Sequence, residues 1–274
     1  MLGRELLVEV REEELALHDV RAVRIVLERL LANLYQELAT EQKEAGEAEK
    51  AIPLYQEALS RFSTILGTWP ESEFAARSQY HKAYCLEMLQ DYNRAAEEYV
   101  KMTYLFPESE LVGEATIRLA TYYYVKVKRY DIAGHIYRNF QQRFPQHDKA
   151  ARALFMAGSC YIKQAQAAIA ATKPKDKNTP VNGEAVRIAG AKADEMYREA
   201  YKTFMTLIDT YRDAPPAIRA QTMYWAGDVG CRAKNYAGAY RNLKRVIFEY
   251  PETEWARRAR GLLLQEAYSF KNFE

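Results

Sequence analysis

Residues 92–107 read YNRAAEEYVKMTYLFP, and the same frame returns without a gap at residues 55–70 (YQEALSRFSTILGTWP), 130–145 (YDIAGHIYRNFQQRFP), 197–212 (YREAYKTFMTLIDTYR) and 236–251 (YAGAYRNLKRVIFEYP). Each copy opens on Tyr and places Ala three residues later: Ala58, Ala95, Ala133, Ala200 and Ala239. A large apolar residue follows at seven (Phe62, Tyr99, Tyr137, Phe204, Leu243) and an aromatic at fourteen (Trp69, Phe106, Phe144, Tyr211, Tyr250). These offsets trace one face of a 3.6-residue helix, so each copy predicts an amphipathic helix with one buried stripe. Pro70, Pro107, Pro145 and Pro251 end four of the five, with Arg212 in the remaining place; a proline there cannot continue the helix.

A second helix is expected after each proline. Ser72, Ser109 and Thr253 stand where N-caps would, and Glu73, Glu110, Asp148 and Glu254 follow them at the positive end of the helix dipole. Small residues recur five and eight positions after the proline, for example Ala75 and Ser78, Ala150 and Ala153, Ala256 and Ala259, marking a close-packed seam. The unit is therefore a helical hairpin that cannot cover its own apolar faces; stacked neighbours bury them.

This pattern resembles the tetratricopeptide repeat (TPR) family: a small residue in the first helix, here Ala83 or Gly227, then Tyr-x-x-Ala-x-x-x-aromatic and a closing Pro. The resemblance covers residues 48–270 and implies an all-α, right-handed α-solenoid, with five helix pairs and a C-terminal capping helix. The spacing of the starting tyrosines, 37 to 39 residues outside one longer interval, and the WPESE and FPESE junctions resemble the bacterial envelope branch. That branch includes the TPR lipoprotein of the outer-membrane β-barrel assembly machinery and Tol-Pal-associated TPR proteins.

Along the chain, residues 1–18 read as a charged arm or helix, and residues 19–274 as the solenoid. VRIVLERLLANLYQELA, residues 23–39, supplies the first helix, and EQKEAGEAE a polar loop. The interval of 67 residues between Tyr130 and Tyr197 holds an insertion at about 165–192, whose Ala-rich flanks around Pro174, Pro180 and Gly183 predict two extended helices projecting as a hairpin. Glu252 to Phe270 is the expected capping helix.

Composition limits the chemistry. The 274 residues carry 39 Lys+Arg against 37 Asp+Glu, a net charge of +2, so no global field attracts nucleic acid. The charge is uneven: residues 1–60 hold 7 basic and 13 acidic residues, and Arg241, Lys244, Arg245, Arg257, Arg258 and Arg260 crowd the other end. His18, His81, His135 and His147 lie in different units without metal-ligand spacing, and Cys85, Cys160 and Cys231 lack a CxxC pair. The GDVGC run at Gly227 reads as packing glycines. We expect no catalytic residues, cofactor, metal or membrane-spanning segment.

The expected function is a non-catalytic scaffold for a protein or peptide, as a subunit or adaptor of a bacterial envelope complex; the alternative is a cytosolic TPR adaptor, co-chaperone or accessory subunit of an enzyme. The envelope resemblance favours a periplasmic or envelope setting, and a cytoplasmic one follows if the chain is full length. In the TPR family the first helix of each pair lines the binding groove. Alignment on the small position puts Arg77, Tyr80, Tyr84, Arg152, Phe155, Tyr224 and Asp228 there, joined by Tyr122 and Tyr124. Tyr80 and Tyr84 replace the Lys and Asn of the family's carboxylate clamp, which argues against Hsp90-type tail binding. Tyr makes up 21 of the 34 aromatic residues and suits protein contacts through its area and polar tip.

Overall fold

The computed structural model describes residues 2–173 and 182–266, the side chains of residues 2–19 excepted. Among the described residues the fold is all-helical: α1 (Leu2–Glu44), α2 (Ala48–Thr68), α3 (Ala75–Met88), α4 (Tyr92–Leu105), α5 (Val112–Tyr122) with a π-helical turn (Tyr123–Val127), α6 (Tyr130–Arg143), α7 (Ala150–Ala170), α8 (Gly183–Thr210), α9 (Pro216–Arg232), α10 (Tyr236–Glu249) and α11 (Glu254–Gln265). These make five helix pairs of the TPR kind and a lone last helix. None of them is long and apolar enough to cross a membrane. The chain divides into two compact units, residues 1–118 and 119–274, with α5 running across the boundary.

In the first unit, α1 turns Ile25, Ala32 and Ala39 inward at seven-residue steps to meet Ala51, Tyr55, Ala58, Phe62 and Ile65 of α2. The polar loop expected at residues 41–49 contracts to a tight turn, because α1 continues to Glu44 and Gly46, at φ 82°, reverses the chain in one step. In α4, Ala95, Tyr99 and Met102 are buried.

In the second unit the small-to-large pairing of the repeat is explicit. A Cβ on Gly158 of α7 would strike the ring of Phe204 on α8, and one on Gly227 of α9 would come within 2.5 Å of Leu243 on α10. Gly230 faces Ala239 in the same way, so the glycines of the GDVGC run are packing positions. The alanines at offset three, Ala58, Ala95, Ala133, Ala200 and Ala239, are all buried. Helices α7 and α8 carry the core out to Ala165 and back from Ala193; between those two positions no described residue is buried. Pro174 and Pro180 of the insertion, and the end of the expected cap beyond Glu266, lie outside the described residues.

The helix ends follow one scheme. The offset-fourteen aromatics Trp69, Phe106, Phe144, Tyr211 and Tyr250 are C-caps of α2, α4, α6, α8 and α10. Of the three expected N-caps only Thr253 acts as one, accepting from the Ala256 N–H at 3.2 Å. Ser72 and Ser109 sit instead in an extra turn before α3 and α5, where their N–H groups donate to the carbonyls of Trp69 and Phe106. Working caps occur at the other ends of the hairpins, at Asp91, Asn182 and Asn235. The residues before two of these caps, Gln90 and Lys234, and Lys128 in the equivalent turn take left-handed φ values of 64°, 59° and 58°.

Candidate functional site

Helix α3 of the first unit carries Arg77, Tyr80 and Tyr84 within two turns. Arg118 of α5 gathers the cluster. Its Nε donates to the Tyr80 hydroxyl at 3.0 Å, its Nη1 donates to both oxygens of Glu87 at 3.1 Å, and its guanidinium lies 5.0 Å above the Tyr84 ring. The Tyr99 hydroxyl donates to the same Glu87 carboxylate at 2.8 Å. Burial opposes the charge on Arg118, yet the electron-rich Tyr99, Tyr80 and Glu87 around it hold its pKa above the usual guanidinium value. Burial, followed by the Glu87 carboxylate, likewise pushes the Tyr99 hydroxyl upward. The cluster is a fixed platform in which Arg118 stays protonated and its charge is met by Glu87 and by Glu114 at 3.4 Å.

The structure corrects the position of one member. Tyr80 is only 8% exposed, its ring lies 6.0 Å from that of Tyr99 and its hydroxyl is taken by Arg118, so it has little ring surface to offer. Tyr84 is half-buried between Arg118 and the edge of Tyr55, and Arg77 is exposed, paired with Glu110 at 2.6 Å. Beside them His81 stacks on Phe62 at 5.4 Å and shares a hydrogen bond with Gln36 at 3.0 Å; burial, then the Arg77 charge, lower its pKa to about 4.

In the second unit Arg152 is exposed and Phe155, one turn on, is half-buried with its ring 5.5 Å from Phe204. Tyr224 packs against Trp225 and Trp255, each at 5.5 Å, and Arg258 lies 5.0 Å over Trp255. Asp228 is the second correction: it is buried, and Arg232 one turn later donates to both its oxygens at 2.8 and 3.2 Å. It anchors Arg232 over Tyr197 and leaves no free carboxylate. Tyr122 ends α5 with its ring edge on Tyr123, and Tyr124 in the π-helical turn meets Tyr130 at 5.4 Å.

The sequence reading missed Arg118, Trp225 and Trp255. Arg118 does leave a trace: it is the one basic residue in the otherwise apolar-periodic stretch VGEATIRLATY of α5. A cation on a buried stripe signals a partner beneath it.

Burial pushes the thiols of Cys85, Cys160 and Cys231 up to about 12, so they are not thiolates at neutral pH. Among the described residues no group of three or more His, Cys, Asp or Glu could hold a metal ion. A cavity of about 210 Å³ is lined by Lys43, Ile52, Tyr55, Glu87 and Met88; its Glu87 is held by Arg118 and Tyr99, and the Lys43 ammonium lies 3.1 Å from the Met88 sulfur.

The family profile YfiO, described as outer membrane lipoprotein, matches residues 76–223. No curated protein matches the chain. Among solved structures, a MamA RS-1 double mutant is 16% identical, with 83% of this chain and 96% of that chain covered, at a TM-score of 0.50. MamA from residue 41 onward, of Desulfovibrio magneticus RS-1, is also 16% identical, covering 79% of this chain and 93% of its own, at 0.49. YrrB, a TPR protein with an unusual peptide-binding site, is 19% identical over 83% and 90%, at 0.48. At such identities the likeness is one of fold. The family match is longer than half of the 274 residues and includes the Arg118 cluster, and by it this chain belongs to the YfiO family of outer membrane lipoproteins.

Proposed function

We propose that the protein is a non-catalytic TPR scaffold that holds a protein or peptide partner as a subunit of a bacterial envelope complex. The observation that carries this reading is the pair of aromatic and arginine surfaces on the first helices of the repeats: Tyr84 braced by Arg118 with Arg77 exposed on the same helix, and Phe155 and Tyr224 braced by Phe204 and Trp255 with Arg152 exposed one turn before Phe155. Half-buried rings locked by neighbours lose little freedom when a partner covers them, and arginine beside them supplies directed donors. The envelope setting is supported by the family's description as outer membrane lipoprotein. Tyr122 and Tyr124 extend the second surface in this reading, while Tyr80 and Asp228 act beneath it. The arm formed by residues 165–192 is an accessory to the stack.

The test is site-specific photo-crosslinking in the native source. A crosslinker at position 84, 152 or 224 should capture a common partner, and one at Tyr104 or Phe248, the exposed aromatics of the second helices, should not. Capture only from positions 104 and 248 would place the contact on the opposite helices and sink the assignment. Fractionation of the partner with cytosolic proteins would move the complex out of the envelope.

A further inference from the structure

The first helices of the second unit expose cations that no described carboxylate answers. On α7 the solvent-facing stripe is Arg152, Met156, Ser159 and Lys163, at steps of four, three and four residues; the two cations are exposed and the residues between them half-buried. On α9 the same steps give Gln221, Trp225, Asp228 and Arg232. Each stripe starts six residues before a packing glycine, Gly158 or Gly227, that meets the large residue of the following helix, so the two are the same face of equivalent helices. The helices touch, and Met156 and Trp225 take corresponding places on one surface. Carboxylates are sorted away from it. The second helices α6, α8 and α10 hold seven, among them Asp194, Glu195 and Glu199. Helix α7 holds none, and neither do residues 119–127 at the end of α5 and in the π-helical turn. The one carboxylate of α9, Asp228, is held by Arg232 through both oxygens. Asp148, just before α7, lies 2.6 Å from the His147 ring nitrogen. Among the described residues Arg152 and Lys163 are thus without an acidic partner.

Resting on the scaffold reading, we propose that this face takes an acidic segment of the partner protein, whose apolar side chains cover Met156 and Trp225 while its carboxylates meet Arg152 and Lys163. Uncompensated cations beside half-buried apolar groups draw a segment of opposite charge and fix its register. The two cations are eleven residues apart, about 16 Å at 1.5 Å rise per residue, a span that about five residues of extended chain cover. Met156 and Trp225 are recessed among their helix neighbours. A peptide side chain reaches such positions; a lipid surface takes up apolar groups that protrude.

The experiment measures binding of an end-labelled peptide, Ser-Glu-Ser-Leu-Ser-Leu-Ser-Glu-Ser, to the full chain by fluorescence anisotropy. Its glutamates and leucines share one side of an extended backbone. The peptide should bind, more weakly as salt rises, and its counterpart with Lys in place of Glu should not. Arg152→Glu with Lys163→Glu should weaken binding about tenfold or more at unchanged circular dichroism, because both side chains are exposed. Arg241→Glu with Lys244→Glu, which reverses two exposed cations of the second helix α10, should leave it unaltered. No binding by the glutamate peptide overturns the inference. Equal binding of the glutamate and lysine peptides also overturns it, and if the Arg152 and Lys163 variant still loses that binding, the first helices remain the contact surface. Loss in the α10 variant alone sinks the inference and the scaffold assignment together. Cosedimentation with phosphatidylglycerol vesicles in place of peptide binding, abolished by the Arg152 and Lys163 changes, would give the face to a lipid surface instead.

Discussion

Adding one methyl group at Gly227 tests the packing rule of the whole repeat. Gly227 lies in the interior of α9, where replacing glycine by alanine ordinarily gains about 1 kcal/mol of helix stability. Here the new Cβ would come within 2.5 Å of both Cγ and Cδ2 of Leu243. The Cγ atom is the branch point of a fully buried leucine, so it cannot swing aside as a side-chain tip would. Overpacking of this kind costs about 1–3 kcal/mol. Gly190, inside α8 of the same unit, has nothing within 4 Å of its virtual Cβ. Gly190→Ala therefore keeps the propensity gain, while Gly227→Ala sets it against the clash. The gain is common to both variants and cancels in their difference, which is the overpacking cost alone. Urea unfolding followed by circular dichroism at 222 nm should place Gly227→Ala below Gly190→Ala by about 1–3 kcal/mol. Equal midpoints for the two variants would refute the argument that a large residue of the second helix fills the space of a missing Cβ on the first.

Three further outcomes are expected. The imidazole of His81 has its pKa lowered to about 4 by burial and Arg77, below an ordinary value of 6.5, so the unfolded chain takes up a proton that the folded chain refuses. Stability is then full above pH 6.5 and falls as pH drops toward 4. Between 6.5 and 4.5, before carboxylates such as Glu98 contribute, the loss should be on the order of 2 kcal/mol; His81→Gln should flatten the urea midpoint against pH there, and identical slopes would exclude the mechanism. Lys234 holds φ at 59° in the hairpin between α9 and α10, so Lys234→Gly should raise the melting temperature and Lys234→Val lower it. Deleting residues 166–190 with a short linker should leave a soluble protein with cooperative unfolding, because no described residue between Ala165 and Ala193 is buried; collapse of the helical signal would show that the arm supports the core.

The second helices of the repeats were legible because their stripes are wide and their bulky residues recur at fixed offsets; Tyr55, Phe62, Tyr99 and Phe204 are all in the core. The first helices were harder. Each packs on two neighbours through small residues, so apolar periodicity is weak, and a tyrosine such as Tyr80 lies at the edge between seam and surface. One residue of angular uncertainty was enough to bring it out of the core, and to leave Asp228 looking free when Arg232 holds it. The extra turns at Ser72 and Ser109 were hidden because a serine followed by glutamate is equally good chemistry for a cap and for a tight turn. The hairpin turns at Gln90, Lys128 and Lys234 carry no glycine to announce their left-handed backbone. The π-helical turn after Tyr122 is likewise silent, since it changes the hydrogen-bond step without requiring a particular residue type.

The two arms of the α7–α8 hairpin leave the repeat at one end only. At the other end, the junction from Pro145 to Ala150 has the form of those at Pro70–Ala75 and Pro107–Val112, and the one from Tyr211 to Pro216 is a residue shorter, with Pro215 in place of the second turn. Residues added to both helices in equal number on the far side would therefore pass unnoticed by the units before and after. Steps of seven suit this best, because two turns return the apolar face to within about 20° of its starting direction while lengthening each helix by about 10 Å. The hairpin is in this sense a telescoping segment, whose reach can be graded in increments by insertion or deletion while the sequence of every neighbouring repeat stays fixed.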